Sequence, residues 1–181
     1  FMPVPVSIPL AGKLTREIPA SPFVPQNEAM RDERCEEISN IQAMGLASRI
    51  RHIGDADMVV GISGGLDSTL ALLVAARAAD MAGIPREKIH GITMPGFGTT
   101  DRTYQNAVSL IQKLGASFHE IPIGPAARMH LQDIGHDESI HNEVYENAQA
   151  RERTQILMDF SNKVGGIVVG TGDLSELALG W

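Results

Sequence analysis

The stretch VVGISGGLDSTLALLVAARAAD, residues 59–80, decides how the rest of the chain is read. A β-branched run, Val59-Val60-Gly61-Ile62, passes without a break into Ser63-Gly64-Gly65-Leu66-Asp67-Ser68. An amphipathic pattern follows that fits a helix over 68–82, closed by Gly83. Strand, glycine turn and helix in that order make a site for anions. The glycines turn tightly and point bare backbone N–H groups at a ligand, and the helix adds the positive end of its dipole. The Walker pattern needs Gly-Lys-Ser/Thr and the dinucleotide fingerprint needs Gly-x-Gly-x-x-Gly; neither stands here. Asp67 beside a phosphate requires a cation between them, and Mg²⁺ is the hard ion that bridges carboxylate and phosphate oxygens.

Outward from that turn, short apolar strands alternate with helices. Strand 58–62 precedes the helix at 68–82, strand 89–94 precedes helix 101–114, and strand 117–121 precedes a short helix at 124–134. A long helix over 143–164 ends at Gly165-Gly166 and feeds strand 167–170. The pattern predicts an α/β fold: a doubly wound parallel sheet with helices on both faces, whose ligands gather at the carboxyl ends of the strands. Ahead of it, Asn27 is placed to cap a helix over 28–53, in which Ile38, Ile41, Gly45, Leu46, Ile50 and Ile53 recur near helical spacing. Residues 1–27 hold six of the ten prolines and read as an extended linker, leaving 28–181 as the folded domain. The apolar end LSELALGW reads as a domain cut short at its C-terminal side.

Composition narrows the partners. With 181 residues, 43% of them hydrophobic, the chain supports one α/β domain. Fifteen Lys and Arg against 22 Asp and Glu give a net charge of −7, which repels nucleic-acid backbones and anionic membranes. No apolar run reaches the ~20 residues of a membrane helix, and residues 1–10 lack the basic start of a signal peptide. A single cysteine, Cys35, excludes an internal disulfide and fits a cytoplasmic setting. Cys35 itself reads as a buried helix residue, with no His or basic cluster beside it to make it a nucleophile. His130, His136 and His141 are spaced by six and five, which scatters them over different helix faces, so they read as incidental surface histidines.

Two further stretches carry polar groups to the ligand edge. GIVVGTGDLSELALGW, 166–181, sets Thr171 and Glu176 just after a strand, and VYENAQARERTQ, 144–155, lines Asn147, Arg151 and Arg153 along a helix start. By itself a Gly-Gly turn is a common joint between strand and helix, and a charged run on a helix is commonly a solvated face. The full string Ser-Gly-Gly-x-Asp-Ser at such a junction is more specific. It resembles the pyrophosphate loop of the ATP pyrophosphatases, which cleave ATP between its α- and β-phosphates and adenylate a substrate; no lysine need then cradle a γ-phosphate. With the other two stretches, and with PFVP (22–25), NIQAMGLASRI (40–50), MPGFGTT (94–100) and IGH (134–136), the chain resembles the synthetase domain of glutamine-dependent NAD synthetase.

The resemblance implies an adenine nucleotide alpha hydrolase-like fold. It also implies a ligase reaction in which ATP adenylates the nicotinate carboxylate of deamido-NAD and ammonia displaces AMP to give NAD. Residue by residue, it implies that Ser63, Gly64, Gly65, Asp67 and Ser68 hold the pyrophosphate side of ATP, and that Asp67 and Glu176 share Mg²⁺ as catalytic and metal-binding carboxylates. Arg153 and Thr171 would contact ATP, and Asn147 deamido-NAD. Ammonia would come from glutamine by way of a nitrilase-type glutaminase domain upstream of residue 1. Thr93-Met94 stands where single-domain, ammonia-dependent relatives carry an Arg before Leu-Pro. A homo-oligomer is also implied, and helix 143–164, with Tyr145, Ile156, Leu157, Phe160 and Val164, reads as its contact. The rival readings are another ATP pyrophosphatase, such as GMP synthetase or a tRNA-modifying thiolase, and a non-catalytic nucleotide-binding or assembly module. The acidic charge speaks against the tRNA enzyme.

Overall fold

The structure is a computed structural model that describes residues 16, 18, 20–21, 23–98 and 101–180. Most of the proline-rich segment, Thr99-Thr100 and Trp181 lie outside the described residues. The chain divides into two units, Phe1–Ile38 and Ser39–Trp181.

In the first unit, helix α1 (Glu28–His52) begins. Its start is set as the sequence predicts: Asn27 Oδ1 accepts from the Met30 N–H at 3.3 Å, and the Asn27 carbonyl accepts from Arg31 N–H at 3.0 Å. Cys35, expected to be buried, is exposed.

In the second unit, α1 continues and buries Ala43, Ala47 and Ile50, while Ile41 stays exposed. The buried stripe is therefore shifted from the isoleucine pattern onto alanines, because Ala43 and Ala47 pack on Ala78 of the next helix and small side chains let two helices approach closely. Four strands, β1 (Met58–Gly61), β2 (Ile89–Thr93), β3 (Ser117–Glu120) and β4 (Ile167–Val168), form a parallel sheet in the order β3-β2-β1-β4. Ladder bonds run past the strand ends, from Ile62 N–H to the Ile92 carbonyl and from Val169 N–H to the Val59 carbonyl, each 2.8 Å.

The helices between strands take opposite faces, as the alternation of side chains along each strand requires. Met58, Val60 and Ile62 join one core with Ala71, Leu72, Ala75 and Ala79 of α2 (Leu66–Ala82) and Ala107 and Ile111 of α3 (Asp101–Lys113). The other face meets α5 (Glu143–Val164), whose Leu157 lies over Gly61 and whose Phe160 packs edge-on against His90. The helix α4 (Gly124–Asp133) buries Leu131 beside Tyr145 and Ala148 of α5. Tyr145, Leu157 and Phe160, read from sequence as oligomer surface, are thus used inside the domain. The helix α6 (Leu174–Leu179) was not predicted; Asp173 and Glu176 form a capping box that starts it.

At the start of α5, Asn142 Oδ1 accepts from Val144 and Tyr145 N–H groups at 3.1 and 3.3 Å. Asn142→Ala should lower stability by about 1 kcal/mol, read as a shift of the urea midpoint at unchanged slope.

Beneath α5 a polar chain crosses the sheet. Lys88 Nζ pairs with Asp57 Oδ1 at 3.1 Å, Asp57 Oδ2 meets His90 Nε2 at 2.9 Å, and His90 Nδ1 meets His119 Nε2 at 3.0 Å. Lys163 lies over the Phe160 ring that packs on His119. Burial first, then the charges of His90 and Lys163, hold the His119 pKa below its ordinary value. Burial raises the Asp57 carboxyl, but the hydrogen bonds and charges of His90 and Lys88 outweigh it and hold it low. For both groups the folded state binds protons less readily than the unfolded one. Their stabilisation is therefore complete at high pH and is lost as pH falls: for His119 below the ordinary histidine value of about 6.5, for Asp57 only in the acid range. The urea midpoint should drop between pH 7.5 and pH 5, and His119→Gln should flatten that drop.

Candidate active site

The loop after β1 lies at the carboxyl edge of the sheet, where strand order reverses between β1 and its neighbours β2 and β4. The helix α2 begins at Leu66, with Gly65 as its N-cap and no side chain capping it, so Asp67 and Ser68 fall inside its first turn rather than ahead of it. The first-turn N–H groups remain for a ligand. One expected donor is turned inward: Gly65 N–H donates to Ser63 Oγ at 3.2 Å. Ser68, 4% exposed, donates to the Gly65 carbonyl at 3.2 Å, and its hydroxyl lies 3.2 Å from that of Ser63. The two hydroxyls therefore set the loop's shape as well as facing its ligand side.

A cavity of about 700 Å³ opens beside this loop. Ser63, Asp67, Ser68, Arg153 and Thr171 line it, joined by Thr93, Met94, Phe97, Tyr145, Glu146 and Gln149. Arg153 is half-buried; burial pulls its pKa down, with the Glu146 charge opposing, and a guanidinium remains charged at neutral pH regardless. Its Nε donates to the Met94 carbonyl at 3.4 Å. His141, Tyr145 and Phe97 stack in series, with centroids 4.3 and 5.5 Å apart, and Arg128 covers the outer face of Phe97 at 5.2 Å. The cavity thus joins an anion-binding end at Ser63–Ser68 to an aromatic end at Phe97–Tyr145.

Not every residue singled out from sequence lines it. Gly64 and Gly65 shape the loop from behind, while Asn147 and Arg151 are exposed. Asn147 stands two residues from both Tyr145 and Gln149, which puts it on the opposite side of α5. Glu176 is exposed, and its Oε2 accepts from the Asp173 N–H at 2.8 Å within the capping box. Among the described residues, no three His, Cys, Asp or Glu side chains gather into a metal-holding group. Conversely, His141, dismissed as incidental, faces the cavity. Tyr145, Gln149 and Arg153 recur at intervals of four, and that period was the sequence signal for this wall.

Fold and site together define an α/β domain whose cavity opens at the topological switch point of a parallel sheet. The family model for NAD synthase matches residues 37–181, and the chain belongs to that family. A glutamine-dependent NAD(+) synthetase of Mycobacterium tuberculosis is 48% identical over 172 residues, covering 93% of this chain and 25% of that protein. Among solved structures, the glutamine-dependent NAD+ synthetase of Acinetobacter baumannii in complex with ADP superposes with a TM-score of 0.72 at 30% identity, covering 80% of this chain and 27% of that one. An NMN synthetase from Francisella tularensis gives a TM-score of 0.67 at 27% identity, over 80% of this chain and 57% of that one. The fold is the adenine nucleotide alpha hydrolase-like one of those synthetases. The chain spans about a quarter of the length of the M. tuberculosis relative. No helix among the described residues is long and apolar enough to cross a membrane.

Proposed function

We propose that this chain is the ATP-using part of a glutamine-dependent NAD synthetase, converting deamido-NAD to NAD through an adenylated intermediate. The observation that carries the reading is the cavity that sets the Ser63–Ser68 loop opposite Arg153. The nicotinate carboxylate oxygen attacks the α-phosphorus of ATP; the α–β bridging P–O bond breaks and pyrophosphate leaves. Ammonia then attacks the acyl carbon, the C–O bond to AMP breaks, and a proton is lost as the amide forms. Ser63, Ser68 and the first-turn N–H groups of α2 hold the departing pyrophosphate, with Gly64 and Gly65 giving the loop its bend. Arg153 and Thr171 contact ATP, and Asn147 contacts deamido-NAD from the outer side of α5.

The lining supports a divalent cation. Among its charged side chains, Arg153 is outweighed by the carboxylates Asp67 and Glu146, so polyphosphate would meet net repulsion without added positive charge. Asp67 and Glu176 would hold Mg²⁺ through the oxygen ligands it prefers, and the ion would offset negative charge on pyrophosphate. We further propose a glutaminase domain of the nitrilase type before residue 1 as the ammonia source, residues 1–27 as the linker to it, a homo-oligomer, and a cytoplasmic setting. The acidic charge supports a small-molecule partner over nucleic acid.

The deciding measurement is NAD and pyrophosphate formation from ATP and free ammonia with Mg²⁺ varied, using deamido-NAD in one series and nicotinate mononucleotide in another. The reading expects product from the dinucleotide, with pyrophosphate and NAD in equal amounts. Turnover of the mononucleotide alone, or ATP cleavage to ADP, would reject it.

A further inference from the structure

Three side chains of α5, spaced by four, grip the segment that follows β2. Arg153 holds the Met94 carbonyl, Gln149 Oε1 accepts from the Phe97 N–H at 3.2 Å, and the Tyr145 ring stacks on that of Phe97. Gln149 is the middle grip and is 4% exposed. Its Nε2 donates to the Tyr145 carbonyl at 3.3 Å, one turn back along the helix. That second bond fixes which way the amide faces: turned over, it would set a donor against the Phe97 N–H and an acceptor against the Tyr145 carbonyl. Gly96 lies directly under this contact. A Cβ there would stand 2.7 Å from Gln149 Oε1 and 2.8 Å from a terminal nitrogen of Arg153.

We infer that Gln149, with Gly96 beneath it, is a positioning residue for ATP. It holds the Met94–Phe97 wall and the Arg153 guanidinium at a fixed separation from the Ser63–Ser68 loop. The inference rests on the ATP reading above. Arg153 does not hold the wall by itself, because its 3.4 Å bond to Met94 is long and hence weak. Without Gln149 the half-buried Phe97 N–H loses its acceptor, which costs the full desolvation of that group unless the segment moves toward water. The Met94 carbonyl moves with it, and the anchor of the Arg153 guanidinium is lost. A displacement of about 1 Å in a wall that orients a substrate is enough to change binding and rate markedly.

Gln149→Met keeps the length and packing of the side chain and removes both hydrogen bonds; Gly96→Ala pushes on the same contact from the other side. In the full-length protein, ATP affinity is measured by calorimetry with Mg²⁺ present, alongside KM for ATP and kcat for NAD formation. Each variant should weaken ATP binding and raise its KM by roughly tenfold, with kcat changed far less, because the reacting groups stay in place. Ser161→Ala removes another buried α5 side chain, whose hydroxyl donates to the Met158 carbonyl at 2.8 Å, and should leave ATP affinity unchanged. A purely structural role for Gln149 predicts a lower melting temperature with normal ATP affinity, and that result overturns the inference while sparing the function. If Gln149→Met does not fold, Gly96→Ala decides by the same readings. Failure of the unaltered protein to bind ATP would remove the functional reading, and this inference with it.

Discussion

Replacing Gly64 by alanine should abolish ATP-dependent turnover and lower stability by about 3 kcal/mol. Gly64 sits at φ +85°, in the left-handed region, and a Cβ built on it would lie 2.3 Å from the Thr103 carbonyl oxygen and 2.9 Å from its carbon. Neither obstacle can swing aside. The first is backbone strain intrinsic to an L-residue at positive φ; the second is the backbone of α3. To fit the methyl, the turn would have to leave α3, carrying Ser63 and the start of α2 with it. Gly65 provides the comparison. It has φ −84°, and its Cβ would meet only Ser63 Oγ at 3.3 Å, so Gly65→Ala should cost far less stability. Urea unfolding and pyrophosphate release on the pair of variants separate the two cases. Equal, mild losses at both positions would show that the turn does not hold the ligand in this conformation.

Glu176→Gln should lower NAD formation by a factor of about a hundred or more while leaving the fold and any glutaminase activity intact. The capping box makes this a clean substitution. Glu176 Oε2 accepts from Asp173 N–H at 2.8 Å, and Asp173 Oδ1 accepts in return from Glu176 N–H at 2.9 Å. Glutamine closes the same box, so α6 keeps its start and only the negative charge is lost. Under the metal reading the carboxylate serves both the box and Mg²⁺, and the lost charge weakens the cation's hold. Turnover should then recover in part as Mg²⁺ is raised. If Glu176 only caps α6, turnover and Mg²⁺ dependence stay at the level of the unaltered enzyme.

Periodicity carried most of the fold. Strands at 58–62, 89–94 and 117–121 and the helices after them differ from the observed elements by one or two residues, because glycines such as Gly83, Gly115 and Gly165 end helices in the left-handed conformation and punctuate the pattern clearly. The start of α2 at Leu66 is not legible, because an exposed leucine in a glycine-rich turn carries no helical signal. β4 is shorter than its apolar run, since Ile167 and Val168 are its paired residues and Val169 adds only a single N–H bond to the Val59 carbonyl. The anion end of the site was legible because one continuous stretch makes it. The aromatic end was not, since Phe97, after β2, meets Tyr145 and His141, around the start of α5, only through tertiary packing. Apolar residues on a helix do not say which neighbour covers them: Leu157 and Phe160 of α5 meet the sheet, and the oligomer contact expected of this helix stays a proposal.

The strand order has a consequence for how the site comes into being. β1 pairs with β4, its most distant strand in sequence, through only Met58–Ile167 and Val59–Val168. The Ser63–Ser68 loop and Thr171, which line one cavity, therefore become neighbours only after the intervening chain has closed a long loop. Loop closure lengthens the folding search more than it weakens the product. As the chain leaves the ribosome, the β1–β2–β3 ladder can form first, with the Ser63–Ser68 loop already at its edge, while Thr171 waits for β4. A ligand that needs both banks of the cavity is therefore held only once β4 has docked.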